Sequence, residues 1–252
     1  MILNKFYLIL FFLICSISCN KSTYLLNYFD DSETQIMSEG LLINGLESGP
    51  WIYYAKSGEK IEYGEYYKGL LTGKWIFNNM DTAFEIYWLL KDTTSRELNI
   101  QFNYPSNWLN SANSNCLIYL RNSIDSLEDE PIYLFADSLN KFNSIEDYLT
   151  LTKNFISSDY ELISYSTLLL STDEFSYFYT TYKIKDGEMD YIVYSSVMEY
   201  ENYILDLILY TTESNNEYNY IVYRNILTHL YINKDRLYNS DSGNFKIVEI
   251  SK

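Results

Sequence analysis

A serine hydrolase needs a nucleophile on a Gly-x-Ser-x-Gly elbow and a histidine to activate it. This chain has no such elbow and a single histidine, His229, so a Ser-His-Asp triad has no support. His229 falls on the flank of the apolar stripe of the last predicted helix, where a hydrogen-bonded structural role outweighs catalysis. No Cys or His pair offers a zinc site. The stretch Gly69-Leu70-Leu71-Thr72-Gly73-Lys74 continues with Trp75 rather than Ser or Thr, which excludes phosphate binding of the Walker kind. Asp125, Glu128, Asp129 and Glu130 could gather calcium, but they lack alternating oxygen-ligand spacing and a turn glycine. They read as a solvated loop before Pro131. A carboxylate pair for glycoside hydrolysis stays open, because acidic residues abound and their separations are not visible in sequence. No metal and no cofactor is implied.

One residue does sit in a setting that specifies chemistry. Cys19 follows Ser16-Ile17-Ser18 and closes an apolar run, Phe6 to Ile14, that begins after Lys5 and is too short to span a bilayer with ease. This resembles a bacterial lipoprotein signal of the Bacteroidota type, with Ser16 where an aliphatic residue is usual. The alternative is an ordinary secretory signal cleaved near Ser18. The resemblance implies cleavage before Cys19, a thioether-linked diacylglycerol, palmitate-type acylation, and a membrane held through more than one acyl chain. Asn20 favours the outer membrane, and the leaflet stays open. Cys116 would then be the last thiol of the mature chain, a buried small hydrophobe in Cys116-Leu117-Ile118-Tyr119-Leu120.

Composition narrows the partners. The net charge is −16, the hydrophobic content 47% and the aromatic content 18%. Such a chain can build a core, and it repels phosphate backbones and anionic headgroups, so nucleic acid is a poor partner. The 28 tyrosines suit strands as readily as they suit stacking on a ligand.

Elements must position whatever site exists. Gly40, Gly45, Gly49, Trp51 and Tyr53 recur 24 residues later as Gly64, Gly69, Gly73, Trp75 and Phe77. Each unit predicts a hairpin turning at Asn44-Gly45 or Lys68-Gly69, with the aromatic pair on one face of the return strand. The spacing resembles the MORN-like repeats of the YwqK type, carried by Gly64-Glu65-Tyr66, Lys68-Gly69 and Gly49-Pro50-Trp51-Ile52-Tyr53-Tyr54. Trp51, Tyr53, Trp75 and Phe77 are therefore candidates for a binding surface, or equally for a seam between modules.

Residues 20–39 show no clear period and predict a tether. Beyond residue 82 the expectation is a strand pair, Ala83 to Leu90 and Leu98 to Asn103, and a strand around Cys116 to Arg121. A helix capped by Ser144 follows, with Ile145, Tyr148, Leu149, Thr152, Phe155 and Ile156 on its core face. Four strands come next: Tyr160 to Leu170, Phe175 to Lys185, Tyr191 to Glu199 and Tyr203 to Thr211, the second and third turning at Asp186-Gly187. A last helix spans Glu217 to Tyr231. This order, with Tyr104-Pro105-Ser106-Asn107-Trp108 leaving an early strand, resembles the PsbP/DcrB-like α+β fold of small bacterial lipoproteins.

The expected organisation is a signal peptide at 1–18, a tether at 19–37, two MORN-like hairpin repeats at 38–79, and at 82–252 an α+β domain in which an antiparallel sheet is packed by two helices. The function implied is a non-enzymatic, membrane-anchored cell-envelope lipoprotein that binds a protein or serves structurally. An immunity protein against an envelope toxin and a carbohydrate-acting enzyme are the alternatives.

Overall fold

The computed structural model describes residues 21–30, 32–79, 82–95, 98–111, 116–122, 130–171, 176–236 and 246–249. The signal segment with Cys19, and Asp125, Glu128 and Asp129, lie outside the described residues. The chain divides into two compact units at Glu85/Ile86.

The first unit is an antiparallel meander in chain order: β1 (Ser22–Tyr28), β2 (Ile36–Ile43), β3 (Leu46–Tyr54), β4 (Lys60–Tyr67) and β5 (Leu70–Asn79). Residues 22–28, expected in the tether, instead form its first strand, which pairs with β2 across Ser22↔Ile43 to Tyr28↔Ile36. The 24-residue repeat is geometric as well as sequential. Asn44 and Gly45 have φ of 54° and 83°, and Lys68 and Gly69 repeat this at 52° and 79°. Two consecutive left-handed residues make the tight turn whose twist matches a hairpin. The ladder then skips a bulge at Gly49-Pro50 and again at Gly73-Lys74.

Each bulge lets a tryptophan lie across a glycine of the preceding strand. A Cβ on Gly40 would fall 2.2 Å from the Trp51 ring, and one on Gly64 would fall 2.4 Å from Trp75. Trp51 Nε1 donates to Leu41 O at 3.1 Å, and Trp75 Nε1 donates to Glu65 O at 2.8 Å. Tyr66 sits edge-on between the two indoles.

Strand β6 (Thr82–Ser95) carries the chain into the second unit, where β7 (Leu98–Pro105) pairs with it. Pro105 ends β7, and Trp108 opens β8 (Trp108–Asn110) in a different sheet. The intervening step is fixed by Ser106 N donating to Tyr87 O at 2.6 Å and by Asn107 bonding Tyr218. The new sheet holds β9 (Ile118–Asn122), β10 (Pro131–Ser138), β11 (Glu161–Ser171), β12 (Ser176–Asp186), β13 (Met189–Tyr200), β14 (Tyr203–Thr212) and, at its far edge, β17 (Lys246–Glu249). Its order is β17-β11-β12-β13-β14-β10-β9-β8. Gly187, at φ 62°, turns β12 into β13, and Glu201, at φ 55°, turns β13 into β14.

Helix α1 (Ile145–Asp159) lies on one face of this sheet and packs on β11 and β13. Ser144 Oγ accepts from Asp147 N at 3.2 Å, and Asp147 Oδ2 accepts from Asn143 Nδ2 at 2.8 Å. Helix α2 (Asn216–Thr228) covers the other face, against β14, and β7 packs on α2 as well. The short strands β15 (Tyr231–Ile232) and β16 (Asp235–Arg236) extend β7.

The expectation of an α+β domain built as one sheet packed by two helices is therefore corrected. The second unit is mostly antiparallel β in two sheets, with helices of only 15 and 13 residues on opposite faces. The last helix stops at Thr228, before the predicted end, because Tyr231 and Ile232 pair with β7 as a strand. Strands β13 and β14 are covered on both sides, so apolar residues face inward on both: Val193 and Val197 towards α1, Leu205, Leu207 and Leu209 towards α2, with Ser195, Ser196 and Asp206 as buried polar exceptions. Among the described residues no helix is long and apolar enough to cross a membrane.

Candidate functional site: an aromatic groove along α1

Burial moves three of the four sequence candidates away from any contact surface. Trp51, Trp75 and Phe77 are 2%, 1% and 2% exposed, and Tyr53 is half-buried with its hydroxyl 3.1 Å from that of Tyr66. The structure does bring them together, in a stacked and edge-on ladder within the meander. Three of the four thus present no ring to a partner. Bulged hairpins that fold each tryptophan over a glycine leave it no other place to go.

A second concave region opens in the second unit, between α1 and the strands β10, β12, β13 and β14. It is a groove of about 1060 Å³. Register builds one wall. Tyr133 and Phe135 project from β10 and stack at 5.5 Å between centroids, Tyr210 meets Tyr133 edge-on, and Tyr119 of β9, outside the groove, backs Tyr133 at 5.1 Å. Helix α1 supplies the opposite wall. Leu151 and Phe155 are one helical turn apart, and they stand 57% and 60% exposed. The helical period had placed Phe155 on the core face. Ile156, expected on the same face, does pack there with Tyr182, Ile184 and Val193, while Phe155 stands out on the rim.

The floor contains a carboxyl group. Asp206, in β14, is fully buried. Ser195 Oγ donates to its Oδ1 at 2.8 Å, and Tyr148 OH donates to its Oδ2 at 3.1 Å. Burial pushes the carboxyl up to about 6, against the pull of the two hydroxyl bonds, which favour the ionised form. Tyr148 is in turn held well above the ordinary phenol range by its own burial and by Asp206 beside it. Asp137 and Asp186 complete the acidic lining, and among the described residues no Lys or Arg lines the groove. Asp137 makes an exposed ion pair with Lys141 at 2.6 Å, while Lys153 of α1 is drawn over the Tyr165 ring.

Two other buried polar groups were open to a functional reading. His229 is the residue that ends α2. Its Nδ1 lies 2.9 Å from Asn225 O and from Thr228 Oγ1, and burial lowers its ring to about 3, so the imidazole is neutral at physiological pH. That is the structural role expected of it. Glu130, read as part of a solvated loop, is 2% exposed. Thr212 N and Oγ1 donate to its Oε1 at 2.6 and 2.5 Å, and Asn215 and Asn219 donate to its Oε2 at 3.0 and 2.6 Å. The carboxylate therefore ties the start of α2 to the end of β14, a helix N-terminus where negative charge is favoured. Cys116 is buried. Among the described residues no cluster of three His, Cys, Asp or Glu is gathered to hold a metal ion.

No family model matches the chain, and no curated protein matches its sequence. Among solved structures it is similar to the cyanobacterial PsbP protein CyanoP of Synechocystis, at 15% identity and a TM-score of 0.43, over 57% of this chain and 92% of that one. A protein of unknown function from Pseudomonas aeruginosa aligns at 10% identity and a TM-score of 0.33, over 60% of this chain and 92% of that one. Likenesses at this level carry no activity across to this chain.

Proposed function

We propose that this chain is a non-enzymatic lipoprotein of the bacterial cell envelope, anchored through Cys19 and acting as a protein-binding module. The observation that carries the binding half is the α1 groove. It is large, open and walled by aromatic rings, and Leu151 and Phe155 stand exposed on its rim. Exposed apolar side chains beside a concave aromatic surface mark interaction sites. The anchoring half rests on the sequence around Cys19 alone. The aromatic ladder of the first unit belongs to its framework in this reading, and the binding surface moves to α1.

The enzyme alternative has one observation to weigh. Asp137 and Asp206 share a face of the sheet on adjacent strands, one diagonal step apart in register, about 7 to 8 Å by strand geometry. That falls in the range of a glycosidase pair. Asp206, however, is fully buried and has one hydroxyl donor on each oxygen, and Asp137 engages Lys141. A general acid must reach the scissile oxygen, so this pair favours structure over catalysis. An immunity-type role against a basic envelope toxin is a special case of protein binding and suits the charge of −16.

The test has two arms. Cys19→Ser should release the protein from the membrane fraction of cells; retention of the variant in membranes would end the lipoprotein reading. Crosslinking in intact cells, followed by mass spectrometry, should capture one dominant protein. Glycan-degrading activity in the purified chain would reverse the ranking.

A further inference from the structure

We infer that the α1 groove is a peptide site, and that its occupant is a segment of a partner protein with an apolar centre and basic residues at both ends. The inference deepens the protein-binding reading and rests on it. Three features select this occupant.

The first is shape. Asp137 pairs with Ile204, Ile204 with Glu199, and Met189 with Asp186. The two carboxylates are thus set ten residues apart along β13, on the order of 30 Å at the strand rise. Both line the groove, so it runs along the sheet with a carboxylate towards each end. An extended segment of about nine residues spans that length.

The second feature is the distribution of polarity. Between the two ends the surface is aromatic and aliphatic: Tyr133, Phe135, Ile208 and Tyr210 from the sheet, with Leu151 and Phe155 from α1. Asp206 interrupts this surface only beneath, capped by Ser195 and Tyr148. Fully buried, with a hydroxyl donor on each oxygen, it presents no exposed polar surface to an occupant.

Charge is the third. Asp137 and Asp186 line the groove above buried Asp206, and among the described residues no Lys or Arg lines it, in a chain of net charge −16. The aromatic rings that flank Asp137 and Asp186 add faces on which an ammonium or guanidinium group can rest. An acyl chain with an anionic head would meet the carboxylate of Asp186, whereas a Lys- or Arg-flanked apolar segment meets Asp186 at one end and, at the other, Asp137, whose exposed ion pair with Lys141 it would share.

The experiment uses the full chain in nanodiscs of neutral lipid and three fluorescent probes. These are a nine-residue Leu/Phe peptide with Lys pairs at both ends, the same peptide with Glu pairs, and a dansyl fatty acid. The Lys peptide is expected to bind, to weaken at least tenfold between 50 and 500 mM salt, and to weaken at least fivefold in Asp137→Asn/Asp186→Asn. Leu151→Asp and Phe155→Asp should each abolish binding. Both side chains are already exposed, and an unchanged melting temperature establishes that the variants are folded. Equal binding of the Lys and Glu peptides, no binding of either, or displacement of the Lys peptide by the fatty acid overturns the inference. Partner capture in cells separates the two levels of the argument. If it persists undiminished in Leu151→Asp/Phe155→Asp, the groove is not the site, although the protein-binding reading stands.

Discussion

Asp206 illustrates what a single buried carboxyl does to a strand. Its pKa in the folded chain, about 6, lies above the ordinary 3.8, so folding favours the protonated form. The contribution is fully present below about pH 4 and is lost as pH rises through 6. His229 has the opposite sign. Its folded value near 3 lies below the ordinary 6.5, so its contribution is present above 6.5 and is lost as pH falls towards 3. Asp206→Asn keeps the shape and removes one of the two titrations, and either hydroxyl can rotate to accept from the new amide. The variant should therefore gain about 3 kcal/mol on wild type between pH 4 and pH 7.5, read from urea unfolding at several pH values. Parallel stability curves would disprove the burial argument. Glu130 is a different case, because it accepts four hydrogen bonds from Thr212, Asn215 and Asn219. Glu130→Ala strands those donors in a buried site and should cost about 3 kcal/mol, measured the same way. An exposed loop residue would cost almost nothing.

At the level of elements, glycines with different duties should respond differently to the same substitution. Gly64 is pressed by the Trp75 indole, where an added Cβ meets the ring at 2.4 Å. The ring is itself pinned by its bond to Glu65 O, so Gly64→Ala should lose about 1 to 3 kcal/mol through overpacking. Gly45 has open space around a Cβ but a φ of 83°, and Gly45→Ala should lose about 1 to 2 kcal/mol through backbone strain alone. Adding Trp75→Ala separates the two mechanisms. It should relieve the clash at Gly64 and leave the Gly45 penalty untouched, which a double-mutant cycle by thermal unfolding reads directly. The same contrast explains which elements the sequence revealed. Turns at Asn44-Gly45 and Lys68-Gly69 are local chemistry, and so is the cap at Ser144; each stands where its residues predict, whereas the turn expected at Asp186-Gly187 falls one residue on, at Gly187-Glu188, because Asp186 still pairs with Met189. Ser22–Tyr28 was invisible as a strand because its residues are mostly exposed or half-buried, so no clean alternation marks it. Glu130 belongs to an acidic run that looks solvated in sequence, and only Asn215 and Asn219, some 85 residues on, make it a buried partner.

The groove belongs to the scale of the whole molecule, and this is why no motif announced it. Tyr133, Phe155, Tyr191 and Asp206 come from four different elements, and only sheet register sets them around one space. Alternation places Tyr133 and Asp206 on a common face, yet pairing of β10 with β14 joins segments some 70 residues apart, a choice that no local pattern encodes. Charge acts on the same scale. With 34 acidic residues against 18 basic ones, and only two ion pairs among the described residues, the folded chain holds like charges closer together than the unfolded one does. Salt should relieve that repulsion, since the Debye length falls from about 20 Å at 20 mM to about 7 Å at 200 mM. The melting temperature of the full chain should therefore rise across this interval with sodium chloride, and rise equally with potassium chloride, because screening does not distinguish the cations. Calcium at an equal ionic strength provides the control: a further increase specific to calcium would mean that carboxylates gather a cation, whereas a matching increase would leave simple self-repulsion as the cause. The same titration bears on the groove, where screening must weaken a basic peptide while it strengthens the fold. Opposite salt responses of binding and stability in one sample would assign the acidic excess to recognition, at a cost to the stability of the free protein.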